Sequence, residues 1–252
     1  IWAVPLLLII MWFRKQLPEF FGIFRQWNIL RWMFLTAFLI SVNWLIYVWA
    51  VNNGQIVGAS LGYYLNPLLN ILAGTMFLGE RLNRLQWLAV GIAAFAVAIL
   101  AVGAFSTLWI SLTLASSFCL YGLVRKTAPV GAVPGLAIET VLLFPAAFLA
   151  AAYVGTNDLA SGWAAGGTVM ALLISGGVIT AVPLLLFAAA ARRMNYSVLG
   201  FIQYIAPTIQ FFLGIFLYGE QLSPTRLAAF ALIWSALAIF SWDALRRLRK
   251  SG

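Results

Sequence analysis

The chain has 252 residues, of which 64% are hydrophobic and 8% charged, with a mean hydropathy of +1.01. A soluble domain averages about 45–50% apolar and about 25% charged residues, so soluble and disordered classes are excluded and the chain reads as an integral membrane protein. The net charge of +9 would suggest nucleic acid in a soluble protein, but basic loops at a membrane give the same excess.

The apolar residues run in continuous blocks with no polar alternation, which excludes a transmembrane β-barrel. At about 20 residues per spanning helix, the length accommodates roughly nine or ten spans. Nine blocks are marked in chain order: 1–13, 32–51, 55–78, 85–103, 105–124, 134–154, 168–190, 197–218 and 227–245. The first is short and has no basic segment before it, so it reads as the end of a helix rather than a secretory signal. Trp27, Trp87, Trp163 and Trp242 lie near block ends, where interfacial anchors are expected.

With alternating helices, 14 of the 15 cations fall on one side of the membrane and only Arg226 on the other. The positive-inside rule makes the first side cytoplasmic and places the C-terminal tail there. A nucleic-acid partner is set aside accordingly. The chain has no histidine, which excludes His-based triads and the common zinc sites, and no Walker-type phosphate loop. No metal, cofactor or catalytic residue is expected. Cys119 is the single cysteine and reads as a small buried residue.

Shifted by 140 residues, the two halves align without a gap. Tyr64 falls on Tyr204, Pro67 on Pro207, Gly74 on Gly214 and Gly79–Glu80 on Gly219–Glu220. A five-helix unit that repeats reverses the direction of each equivalent helix. The expected fold is an all-α integral membrane protein, an inverted 5+5 transmembrane helix repeat. About nine of the ten helices are expected in this chain, the first helix missing at the N-terminus. The expected domains are a first repeat at 1–103, a second at 105–245 and a basic tail at 246–252.

In such folds the substrate site lies near the bilayer midplane, where polar side chains are costly unless they pair or line water. Tyr63, Asn66, Pro67 and Asn70 share one helix face by their spacing, and the repeat puts Gln203, Pro207 and Gln210 on the equivalent face. Asn43 and Tyr47 share a face in the second block. The candidate substrate-binding residues are Asn43, Tyr47, Tyr63, Asn66, Asn70, Gln203 and Gln210, with Pro67 and Pro207 as helix kinks. Packing by interhelical hydrogen bonds uses the same residue types. Glu139 is the one carboxylate well inside a block, and reads as a proton carrier or as half of an ion pair. Gly79 and Glu80 read as a helix cap followed by the start of the next helix. Gly54, Gly58 and Gly62 are spaced for close helix approach.

The blocks 62–82 and 202–222, each ending in Gly-Glu, resemble the EamA repeat of the drug/metabolite transporter superfamily. The run NWLIYVWAVNNGQIVGASLGYYLNPLLN from Asn43 and the segment LAIETVLLFP from Leu136 to Pro145 resemble the RarD family more narrowly. The resemblance implies a ten-helix permease of the bacterial cytoplasmic membrane, with a His-Arg pair before Ile1 whose arginine is a possible partner for Glu139. It names no ligand. The expected function is therefore a secondary transporter of small organic metabolites or drugs by alternating access, proton coupling through Glu139 included as an option. An intramembrane enzyme and a channel or non-transporting scaffold are the competing classes. The lipid bilayer and a small organic substrate are the expected partners.

Overall fold

The structure, a computed structural model, describes residues 2–157, 167–217 and 223–251. Eleven α-helices occur among them: α1 (Ala3–Phe13), α2 (Leu17–Ile23), α3 (Trp27–Asn52), α4 (Ile56–Phe77), α5 (Arg84–Val102), α6 (Leu108–Thr127), α7 (Ala132–Asn157), α8 (Gly167–Arg193), α9 (Tyr196–Gln203), α10 (Ile205–Phe216) and α11 (Pro224–Ser251). There is no strand among the described residues. Among the described residues, eight segments are long and apolar enough to cross a membrane, and α1 is a shorter apolar helix. Large apolar side chains stand on the outside, including Phe13, Val102, Phe105 and Phe216, each more than 70% exposed. Only a bilayer can cover such a surface, and helices are the element whose backbone is satisfied there internally.

Two details differ from the sequence pattern. The loop after the first block contains α2, a seven-residue helix with proline in its first turn. Leu17–Ile23 is too short to show as an apolar block, but Pro18 fixes the backbone for a helix start. The block 197–218 is divided at Tyr204 into α9 and α10. Pro207 removes the backbone donor that would close the turn at Gln203, and the helix yields there. Pro67, at the equivalent position, leaves α4 continuous.

The chain divides into two compact units. One comprises residues 1–41 and 124–193, the other 42–123 and 194–252. Each unit thus draws on both sequence halves, and it draws on matching pieces of them. In the first unit α1 packs on α7 and α8, with α2 also on α7. Its core gathers Leu7, Met11, Met33, Val133 and Ile138. In the second unit α5 packs along α11 and α4 along α9, and both are pairs related by the 140-residue shift. Its largest core joins Ile71, Ala89, Ala93, Phe201, Tyr204, Ile233 and Phe240.

Small residues set the approach of these helices. A Cβ on Gly200 would come 2.7 Å from the carbonyl oxygen of Pro67 and 3.2 Å from the Cβ of Asn70. A Cβ on Gly58 would meet Thr107, and one on Gly62 would meet Leu114, so α4 also lies close against the chain at the start of α6. Gly54 and Gly79 adopt φ +69° and +65°, the left-handed conformation that closes a helix end at little cost only for glycine. Gly91, in contrast, faces open space in mid-α5.

Gly200→Ala is expected to lower stability by ~1–3 kcal/mol because the obstacle is backbone and cannot rotate away. Gly91→Ala is expected to be neutral or to gain up to ~1 kcal/mol from helix propensity. Thermal unfolding of the two variants in detergent checks the ranking, and equal melting temperatures would refute the tight crossing.

Candidate functional site

All seven candidate substrate-binding residues fall in the second unit. On α4, Asn66 and Asn70 are buried, one turn apart. The Nδ2 of Asn66 donates to Oε1 of Gln203 at 3.2 Å, and the Nδ2 of Asn70 donates to the same oxygen. Gln203 ends α9, which Gly200 allows to lie against the backbone of α4. The sequence placed Gln203 and this pair on equivalent faces, and the fold brings them into one amide cluster. The carbonyl oxygens of Asn66 and Asn70 have no hydrogen-bond partner among the described residues. A buried acceptor without a donor costs about 1–3 kcal/mol and is uncommon. Two of them side by side form a place that favours a group carrying N–H or O–H.

The remaining candidates are distributed around this cluster. The Nδ2 of Asn43 donates to the carbonyl of Leu114 at 2.8 Å and to Oγ of Ser117 at 3.0 Å, tying α3 to α6. Tyr47 lies edge-on to Trp44 on its own helix and to Tyr63 of α4, at 6.4 and 6.2 Å between ring centroids. Tyr63 is 43% exposed, so this aromatic face is accessible in a way that Asn70, fully buried, is not. Gln210 stands apart from the cluster, in the wall of a cleft of about 690 Å³. Pro67 frees the carbonyl of Tyr63 from the helical ladder. The neighbouring carbonyl of Tyr64 accepts from the Tyr204 hydroxyl at 3.3 Å.

Glu139 lies in the first unit and is 1% exposed. Its Oε1 is 3.5 Å from Nη1 of Arg125, which is itself fully buried. Arg125 belongs to the last turn of α6 and is one of the 14 cations that alternating helices place on one side. Its Nη2 donates to the carbonyls of Gly131 and Ala132 at 3.3 and 2.9 Å, the turn that starts α7. Gly135 makes room for the guanidinium, because a Cβ there would overlap it. The signal was present: a carboxylate two turns into a span requires a cation, and the nearest in sequence end the preceding helix.

Glu80 does not start the next helix. Its carboxylate accepts from the backbone N–H of Tyr196 at 2.6 Å and of Ser197 at 2.8 Å, and from the Ser197 hydroxyl at 2.5 Å. It therefore caps α9 and satisfies amides that the helix leaves open. Asn83 starts α5 instead, through a reciprocal capping box with Gln86. The repeat counterpart, Gly219–Glu220, lies outside the described residues, as do Asp158 and Trp163.

Comparison with known proteins gives a consistent family. Residues 1–102 match the EamA-like transporter family. An uncharacterized transporter of Pseudomonas aeruginosa is 49% identical over 85% of this chain and 72% of its own. Protein RarD of Streptomyces exfoliatus is 48% identical over 86% of this chain and 69% of its own. Protein RarD of Escherichia coli K12 is 43% identical over 91% and 81%. A protein of known crystal structure, 22% identical, superposes with a TM-score of 0.62 over 90% of this chain and 82% of its own, a likeness of fold.

Breaking the Arg125–Glu139 pair from one side leaves a buried charge without this counter-charge. Arg125→Met is expected to cost ~3–5 kcal/mol, and Arg125→Met combined with Glu139→Leu distinctly less than the single change. Chemical unfolding of the single and double variants measures the coupling, and additive losses would contradict it.

Proposed function

The chain belongs to the RarD group of the EamA-like transporter family, and on that premise we propose that this membrane transporter moves a small organic solute by alternating access. The reading rests chiefly on the paired carbonyl oxygens of Asn66 and Asn70, buried without donors beside Gln203. The solute presents N–H or O–H groups to these acceptors and an apolar or aromatic body to Tyr47 and Tyr63. Binding then supplies hydrogen bonds that the protein's own residues do not give these oxygens, which supports a state selected by the solute. Asn43 positions α3 against α6 and acts on the site through that contact.

Glu139 is held by Arg125, and we assign it the positioning of α6 and α7 rather than proton transfer. The chain lies in the bacterial cytoplasmic membrane with its C-terminal tail in the cytoplasm. The support is the 14 cations gathered on one side.

A thermal-shift screen of amino acids, amines and amphipathic antibiotics is expected to identify a stabilising solute, since a ligand that binds only the native state must raise its stability. Counterflow of that solute in proteoliposomes is expected to fall at least tenfold in the triple variant Asn43→Leu, Asn66→Leu, Gln203→Leu. Gln26→Ala, at an exposed position of the first unit, serves as the control. Unchanged counterflow in a folded triple variant would refute the site. A green fluorescent protein fused to the C-terminus is expected to fluoresce, and a phosphatase at the same place to stay inactive.

A further inference from the structure

The cations of this chain divide by what they touch. Arg125, Lys126 and Arg192 direct their charge to carbonyls and a carboxylate within the fold. Arg14, Lys15, Arg25 and Arg31 do not. All four are exposed, and none of them has an ion pair or a side-chain hydrogen bond with a described residue. They lie within residues 14–31, which join α1 to α3 through α2. The one carboxylate of this stretch, Glu19, is turned toward α7, where its Oε1 accepts from the backbone N–H of Gly131 at 3.5 Å.

The stretch is fixed on one side and open on the other. Phe20 and Ile23 of α2 enter the core of the first unit with Met11 and Val133. Phe21 and Phe24 stay exposed, and both lie edge-on to Phe20, at 5.2 and 5.3 Å between ring centroids. Trp12 and Phe13 precede the stretch and Trp27 falls within it, each more than 60% exposed. Exposed rings of this kind favour the headgroup level of a bilayer, so cations set among them are held at the depth of the lipid phosphates. Arg31 illustrates the arrangement, its guanidinium lying over the Trp32 ring at 5.7 Å. Seven helical residues measure about 10 Å, so α2 separates Arg14 and Lys15 from Arg25 by little more than the reach of their side chains. Lys15 holds φ +55°, a left-handed conformation that glycine adopts at less cost, and the turn so formed carries a charge where a helix end would favour none.

We infer that residues 14–31 form a binding surface for anionic phospholipid on the cation-rich side of the membrane. The phosphates lie among Arg14, Lys15, Arg25 and Arg31, and the acyl carbons lie against Phe21, Phe24 and Trp27. A soluble organophosphate offers the same charge but no chain for the rings, and the rings decide for the lipid. The surface belongs to the first unit, whereas the amide cluster belongs to the second.

Native mass spectrometry of the purified full chain, released from neutral detergent with equal phosphatidylglycerol and phosphatidylcholine, reads the preference directly. Wild type is expected to retain phosphatidylglycerol. A cation near an anionic lipid surface is worth about fivefold in binding. The quadruple variant Arg14→Gln, Lys15→Gln, Arg25→Gln, Arg31→Gln is therefore expected to lose the preference at least tenfold. The triple variant Arg14→Lys, Arg25→Lys, Arg31→Lys keeps the charge and is expected to keep the preference. Arg25→Gln with Arg31→Gln is expected to weaken it more than Arg81→Gln with Arg84→Gln, which removes two exposed cations of the second unit. No preference in wild type would overturn the proposal, and so would equal losses in the two double variants, which would reduce the effect to total charge. Displacement of the lipid by an equal concentration of glycerol phosphate would assign the surface to a soluble anion and overturn it as well.

Discussion

The second unit depends on one close contact of backbone with backbone. Gly200 on α9 lies against the carbonyl of Pro67 on α4, with no room for a single methyl group. That approach carries Gln203, one turn further on, to Asn66 and Asn70. Pro67 takes part twice. It removes its own donor from the helical ladder, and its carbonyl forms the surface on which Gly200 rests. Without the approach the three amides would each stand alone in hydrocarbon, at a cost that none of them could recover locally.

Charged residues of this chain serve largely to finish helices. Glu80 closes the open amides of α9, and Arg125 reaches the carbonyls of the turn that opens α7. Lys126 donates to the carbonyl of Ala191, and Arg192 donates to those of Ala128 and Val130. All of these except the Arg125 contacts, which span six and seven residues, join parts of one unit across 62 residues or more of sequence. Helix ends leave carbonyls and amides unmatched, and near a bilayer water serves them less freely, so ionic side chains that reach across from another helix gain a structural role. The concentration of cations on one side thus reads as topology in the sequence and as end-capping in the fold.

The spans were legible because hydrocarbon imposes length and composition together. The block edges at 55–78 and 85–103 lie within a residue or two of α4 and α5. Glycine spacing announced the close approach at Gly58 and Gly62 for the same reason, since only small residues allow it. What the pattern could not supply is partner identity. Glu80 and Tyr196 are 116 residues apart, and nothing in a one-dimensional pattern links a carboxylate after one helix to the start of another. That Glu139 needs a cation was legible, and so was the basic pair ending the preceding helix, but which of Arg125 and Lys126 turns inward shows only in the fold, where Arg125 reaches the turn that starts α7. The amide site was half legible: spacing gave the face of α4, while the bonds to Gln203 required the crossing. Gln210 shares a helical stripe with Gln203 in the sequence, but the break at Tyr204 and the cleft beyond it separate their surroundings.

The repeat supplies a framework in which equivalent positions hold unlike residues, and the candidate site arises from that difference. Each compact unit pairs matching pieces of the two halves, so α4 meets its own counterpart α9. Residues that match, Pro67 with Pro207 and Tyr64 with Tyr204, recur at equivalent positions, although α4 stays continuous at Pro67 while its counterpart divides at Tyr204. Residues that differ decide the chemistry: Gln203 stands where the first half has Tyr63, and Asn66 stands where the second half has Ala206. A symmetric pair of asparagines could have satisfied one another across the axis and left no acceptor open. Alanine at 206 offers no side-chain donor, and the side-chain oxygens of Asn66 and Asn70 have no partner among the described residues while their amide nitrogens donate to Gln203. The repeat thus accounts for the pairing of α4 with α9, and the unlike residues at a few mid-span positions account for an amide cluster with unsatisfied acceptors in a setting where hydrocarbon penalises them.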